Sequence, residues 1–349
     1  MARTYKASIF RGPGKIEVVE KTLPDVCGDD DVIVKNRLST ICGADYDGWK
    51  NGDADKHMMW TDYEFGHEMV SEVVEKGKNV TEVEIGDWIF PNLGYAYHDH
   101  HRMATVGGYS EYLYLPKFTL KGPFMGGNQP SAIKLDKSLG MENLALLEPF
   151  SVGCKAAYSM NAKGKSGVVV GSGIIGLSTA IMLKYYGAEK VMMIDFSNFR
   201  LEKARSYGML TCNPKEEDVE QKLFEAFGSR RVYGGEKCCA DFFFDCIGIQ
   251  PSVDYFTKYA GFGATLSIVG VHLKPVQIDG VSVCYNQQWI KGCGFMGLDE
   301  AFRDIQDMIR HGTDISSLIT HKFPIDQINE AFVAHGDFEH EHKIAIQFD

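Results

Sequence analysis

Residues 167–195 constrain the fold most. Gly167-Val168-Val169-Val170 is a short, continuous apolar run, and Gly171-Ser172-Gly173-Ile174-Ile175-Gly176 follows it directly. Ile174 to Tyr186 has helical spacing, and Lys190-Val191-Met192-Met193-Ile194-Asp195 is a second apolar strand that ends in a carboxylate. Strand, glycine turn, helix and strand in this order lay a helix N-terminus against a pyrophosphate. Gly171 permits the tight turn, Gly173 lets backbone approach the phosphates, and Gly176 lets helix and strand pack closely. Ile174 and Ile175 complete the fingerprint. Asp195 lies 19 residues beyond Gly176. A carboxylate there accepts hydrogen bonds from a ribose 2′-hydroxyl and repels a 2′-phosphate, which favours NAD over NADP. The plainer reading of Asp195 is a helix N-cap. Arg200 pulls the other way, because a nearby arginine serves a 2′-phosphate. Ile247, Val269 and Val271, around the ends of later apolar strands, complete the expected cofactor-binding set.

The same alternation continues through the helical stretch Phe199 to Tyr207 and the apolar strands Asp241 to Ile247 and Ala264 to Val269. Repeated β-α-β units predict a doubly wound parallel sheet. The stretch to about residue 150 reads differently, as short half-buried antiparallel strands such as Lys15–Val19, Asp31–Lys35 and Met69–Val74, cut by glycine, proline and aspartate. Glu300 to Arg310 reads as an amphipathic helix, and Lys343 to Phe348 alternates like the first region, so the chain is expected to return there. A chain of 349 residues exceeds one ordinary core. The division expected is 1–155 for a β-rich domain, 156–290 for the Rossmann domain and 291–349 for the return, an α/β class overall.

Ahead of the fingerprint stand Cys42, the pair His67 and Glu68, and Glu148. A thiolate, an imidazole and a carboxylate from Glu148 or Glu68 would make a zinc site with a position left open. A Lewis acid beside a nicotinamide is equipment for moving hydride on and off an alcohol carbon. The net charge of −11 is spread along the chain and argues against nucleic acid as a partner. The longest apolar runs, such as Phe242-Phe243-Phe244, are far short of a membrane span, and the N-terminus reads straight into a strand rather than a signal peptide. A cytoplasmic location is expected, with most of the nine cysteines as buried free thiols.

Ile41-Cys42-Gly43-x-Asp45, Gly66-His67-Glu68, Val83-x-Ile85-Gly86-Asp87, Glu148-Pro149-x-Ser151-Val152-Gly153, the fingerprint, and Leu318-Ile319-Thr320-His321-Lys322-Phe323-Pro324 recur in order over nearly the whole length. In these the chain resembles the zinc-dependent medium-chain alcohol dehydrogenases, in the branch of sorbitol and threonine dehydrogenases. The resemblance implies a GroES-like catalytic domain split around a Rossmann domain. It implies one catalytic zinc per chain on Cys42, His67 and Glu148, with Glu68 as a close or exchanging ligand. Homodimers or homotetramers are implied too. The expected reaction transfers hydride between a secondary alcohol and NAD, the alcohol being a polyol, sugar derivative, hydroxy acid or amino alcohol. Its alternatives are a carbonyl reductase working mainly toward the alcohol, a zinc-less enoyl or quinone reductase, and a non-catalytic nucleotide-binding protein.

The chain departs from that pattern in four places. Many relatives follow the cysteine with Gly-(Ser/Thr)-Asp-x-His, whereas here Ala44 lacks the hydroxyl and Asp47 replaces the histidine. The proton is therefore expected to leave through water, with Asp47, Glu68 or a substrate hydroxyl assisting. The region Pro91–His101 has no cysteine, so no structural zinc is expected; His98 to His101 read as a solvated or interface loop. Lys121–Asn128 reads as a loop in a longer than usual connection. Phe295 and Met296 stand where sorbitol-type enzymes carry a polar Arg-Tyr pair. Trp49, Phe118, Phe295 and Met296 are pocket candidates, each equally readable as core.

Overall fold

The computed structural model describes residues 3–52, 59–92, 107–122, 130–293 and 296–349. These form two compact units, 1–148 with 306–337 and 343–349, and 149–305 with 338–342.

The first unit is built on a mixed sheet. Ile319–Pro324, Lys343–Gln347, Val32–Thr40, Glu68–Lys76, Trp88–Pro91 and Ala132–Lys134 lie side by side in that order. Tyr112–Leu115 shares an edge of the long strand Val32–Thr40 with Lys343–Gln347, the former pairing with Val32–Lys35 and the latter with Leu38–Thr40. Thr4–Phe10 and Ile16–Thr22 form a separate antiparallel pair. The core gathers Phe10, Ile41, Phe65, Tyr109, Phe332, Ile344 and Ile346. The C-terminal strand Lys343–Gln347 joins this unit from the far end of the sequence.

The stretch before residue 150 also holds helices, which the reading as short strands did not include: Gly43–Asn51 and Met141–Ala145. Gly43–Asn51 contains two glycines and two aspartates, all poor helix formers, so periodicity gives little warning of it. Its ends hold it instead. Cys42 Sγ accepts the Ala44 N–H at its start, and Gly52 closes it in the left-handed conformation.

Among the described residues, the second unit has a separate antiparallel pair, Ser229–Val232 and Gly235–Cys238, and a main sheet of six strands, all parallel, in the order Leu210–Cys212, Lys190–Ile194, Ser166–Val170, Phe242–Asp245, Thr265–Ile268 and Trp289–Gly292. Numbered along the chain this is 3-2-1-4-5-6, the dinucleotide-binding order, with its switch point between Ser166–Val170 and Phe242–Asp245. Central strands are covered on both faces, which is why Phe242-Phe243-Phe244 is uniformly apolar and buried. The last strand, Trp289–Gly292, is exposed throughout. The nine cysteines are all free thiols, but only Cys154, Cys212 and Cys238 are buried, which corrects the expectation that most would be. Cys239, Cys284 and Cys293 are exposed, because they sit outside the apolar strand interiors.

Candidate active site

In the first unit, sheet register brings distant residues together. Thr40 pairs with Glu68 across one edge of its strand and with Ala345 across the other. Cys42 lies two residues past that strand, His67 just precedes Glu68, and Lys343 stands two residues before Ala345. Cys42, His67 and Glu68 each present a ligand atom, all within 4.8 Å of one another. Gly66 makes the approach possible. Its φ is +93°, and a β-carbon there would lie 2.6 Å from the Tyr109 ring.

Around this trio most polar groups have partners, the exception being His67 Nδ1, which is buried without a hydrogen bond among the described residues. Lys343 Nζ lies 3.0 Å from Glu68 Oε1 and 2.7 Å from Oε2, with both side chains fully buried. Thr40 donates its hydroxyl to the same carboxylate. His67 Nδ1 faces Asp45 Oδ1 at 3.5 Å, and the Tyr109 hydroxyl lies 2.8 Å from Asp45 Oδ2. Burial pushes the Cys42 thiol up, against the pull of His67. Burial opposes charge on His67, but Asp45 and Cys42 outweigh it and hold the imidazole well above its usual range. Burial and Asp45 keep Tyr109 protonated, so it donates.

Asp45 and Glu68 are each 1 % exposed, and the trio of thiol, imidazole and carboxylate converges on one point. That soft-plus-hard donor set suits zinc. The residues present therefore fit the metal. Glu148, in the first turn of Leu147–Tyr158, is outside the close trio, although its charge reaches His67 and Lys343. Asp47 is not in the trio either; its carboxylate accepts from Asn51 Nδ2 at 2.6 Å, one turn along its own helix. Ala44 is exposed. Residues 98–101, 123–128 and Phe295 lie outside the described residues. Met296 is buried against Cys154, Phe118 is buried, and Trp49 packs at tilted angles against Tyr46 and Phe332.

In the second unit, Gly171 has φ +98°, and a β-carbon on Gly176 would lie 1.8 Å from the Gly171 carbonyl oxygen. Gly173 starts the helix Ile174–Tyr185 with no side-chain cap, leaving its first N–H groups to a ligand. Asp195 accepts the Ser172 N–H at 2.6 Å and the Ser197 N–H at 2.8 Å. It is not the helix cap: Ser197 caps Asn198–Ser206. Arg200 reaches back toward the fingerprint, its Nη1 3.5 Å from where a Gly173 β-carbon would stand.

Sequence reasoning passed over a further cluster at the strand ends. Asp245, fully buried, accepts from Ile247 N–H at 3.0 Å, Gly248 N–H at 2.9 Å and Ser252 Oγ at 2.5 Å. His272 Nε2 contacts its other oxygen. Asp245 thereby joins the turn holding Ile247 to the turn holding Val269 and Val271. A carboxylate ending the run Phe242-Phe243-Phe244 was the visible signal. Asp45, Thr40, Tyr109 and Lys343 were passed over too.

The comparisons with known proteins cover both units. Residues 28–123 match the alcohol dehydrogenase GroES-like domain, and residues 175–311 match the zinc-binding dehydrogenase family. The chain belongs to the zinc-dependent medium-chain alcohol dehydrogenase family. An L-threonine 3-dehydrogenase from Burkholderia mallei is 26% identical over 345 residues, covering 94% of each chain. The crystal structure of 2R,3R-butanediol dehydrogenase from Bacillus subtilis has a TM-score of 0.80 at 24% identity, covering 99% of this chain and 100% of that one. An alcohol dehydrogenase from Escherichia coli CFT073, solved with NADH, has a TM-score of 0.77 at 18% identity, covering 99% of this chain and 100% of that one. Within this alcohol dehydrogenase family the GroES-like match spans Cys42, His67 and Glu68, and the zinc-binding dehydrogenase match spans Gly176, Asp195, Arg200 and Asp245. The protein is an oxidoreductase of CH–OH groups.

Proposed function

We propose that this dehydrogenase uses one zinc ion and NAD to interconvert a small secondary alcohol and its ketone. The alcohol is of the polyol, sugar-derivative, hydroxy-acid or amino-alcohol class. The convergence of Cys42, His67 and Glu68 within 4.8 Å carries the reading. Cys42 and His67 would hold the metal through Sγ and the ring nitrogen turned away from Asp45. Glu148 or Glu68 would supply the oxygen. When bound, zinc supplies Lewis acidity that lowers the pKa of an alcohol and polarises a carbonyl. Asp45, held by the Tyr109 hydroxyl, faces His67 Nδ1 at 3.5 Å and would orient the ring as an outer partner of a metal ligand. Lys343 holds Glu68 in reserve by occupying both its oxygens. Gly171, Gly173, Ile174, Ile175 and Gly176 would receive the pyrophosphate, Asp195 the ribose hydroxyls, and Ile247, Val269 and Val271 the remainder of the dinucleotide.

With Ala44 in place of a hydroxyl, the alcohol proton leaves by water, with Glu68 or Asp47 assisting. Asp47 would first have to turn from Asn51. The exposed edge strand Trp289–Gly292, with Trp289 and Ile290 in solvent, supports a homodimer or homotetramer. The free cysteines agree with the cytoplasm. Among the described residues no helix is long and apolar enough to cross a membrane. The test is metal analysis together with NADH formation across a panel of these alcohols, before and after zinc is stripped and restored. Zinc-dependent turnover with one class supports the reading. Full activity in the metal-free protein would refute it.

A further inference from the structure

We propose that Glu341 sets the choice of dinucleotide, by holding the charge of Arg200 inside the protein and away from a 2′-phosphate. The proposal rests on reading residues 171–200 as the dinucleotide site. In that fold a strand-end carboxylate favours the free ribose, and an arginine close by favours its 2′-phosphate. This chain carries both, in Asp195 and Arg200, so the partners of the arginine decide which wins.

Arg200 lies on Asn198–Ser206, with Nη1 beside the second fingerprint glycine. Its Nε and Nη2 both donate to the Glu341 main-chain carbonyl at 3.2 Å, and Nη2 also donates to Glu341 Oε1 at 3.2 Å. The Glu341 side chain is 2 % exposed and that of Arg200 14 %. A carboxylate so deep is retained only with a charged partner, so the pair binds Arg200 firmly. With Asp195 alongside, the edge carries two negative charges against one positive, which disfavours a dianionic phosphate.

The neighbours add little to offset this. His342 stacks on Phe199 with ring centroids 4.8 Å apart. Burial and then Arg200 pull its pKa down to about 4, so it is uncharged at neutral pH. Lys203 turns over the Tyr207 ring, and Lys215 faces Glu339. The main-chain carbonyl of residue 341 would keep Arg200 in place if the side-chain charge were removed. Glu341→Gln therefore isolates the charge.

The experiment uses the full-length protein and measures calorimetric binding of 5′-ADP and 2′,5′-ADP, with kcat/KM for NADH and NADPH as a second readout. Glu341→Gln should improve 2′,5′-ADP binding relative to 5′-ADP by about ten- to a hundredfold, the range of one charge-assisted contact. Adding Arg200→Gln should erase the gain. Arg200→Gln alone should leave the ratio unchanged, and it tests the idea independently if the Glu341 variant does not fold. Equal tightening of both nucleotides, a gain that survives loss of Arg200, or a falling ratio in the single Arg200 variant would each overturn the proposal. A wild-type protein that binds neither nucleotide would instead sink the dinucleotide reading itself.

Discussion

Replacing Lys343 by methionine should make the metal-free protein far less stable and make that stability depend on zinc. The Lys343 ammonium sits 2.7 and 3.0 Å from the two Glu68 oxygens, and both side chains are buried to within 2 %. Methionine keeps most of the volume and removes the charge. Glu68 then keeps the Thr40 hydroxyl but loses its ion-pair partner. Removing one partner of a buried pair costs about 3–5 kcal/mol. Zinc bound at the trio would supply the missing positive charge, so the loss in the loaded protein should be clearly smaller. The double variant Lys343→Met with Glu68→Gln should recover much of the loss, because no charge is then stranded. Urea unfolding followed by tryptophan fluorescence suits the question, since Trp49, Trp60 and Trp88 belong to the first unit and Trp289 alone to the second. Each variant would be measured with chelator and with zinc. A metal-free Lys343→Met protein within about 1 kcal/mol of wild type would refute the reasoning, since the ion pair would then contribute almost nothing.

Three further outcomes are expected. His342 titrates near 4 in the folded chain, below its ordinary 6.5, so the unfolded chain binds the extra proton between those values. Its contribution is therefore complete above about pH 6.5 and lost as pH falls toward 4, by at most about 3 kcal/mol. His342→Phe should lose less stability than wild type between pH 7 and 5 in urea unfolding followed by circular dichroism. His272→Gln should raise the NADH dissociation constant by up to about tenfold while zinc content stays at the wild-type level, because the turns of Ile247 and Val271 lose their shared anchor at Asp245. An unchanged dissociation constant in fluorescence titration would remove His272 from that role. Ile290→Lys, on the exposed edge strand, should lower the oligomer order seen in sedimentation velocity and leave the circular dichroism spectrum unaltered. An unchanged sedimentation coefficient would place the interface elsewhere.

The parts of this molecule that were legible in the sequence are those written in one local stretch. The fingerprint, its flanking strands and Asp195 all fall within residues 167–195, and parallel strands buried on both faces announce themselves as apolar runs. Cys42, His67 and Glu68 could be nominated from their chemistry, but their meeting depends on the pairing of Thr40 with Glu68, which no local pattern encodes. The groups that govern their charge were harder still to see. Lys343 reads as one polar position of an alternating strand, which suggests a solvated face. It is buried because the strand pairs next to Thr40, where Glu68 waits. Glu341 is one of five charged or ionisable residues in Glu339–Lys343, a run that reads as surface. Its role depends on that segment joining the second unit while its neighbour Lys343 joins the first. A charge run can therefore hide two buried ion pairs, one in each unit. Their sequence separations, 275 residues for Lys343 with Glu68 and 141 for Glu341 with Arg200, put them beyond any local reading.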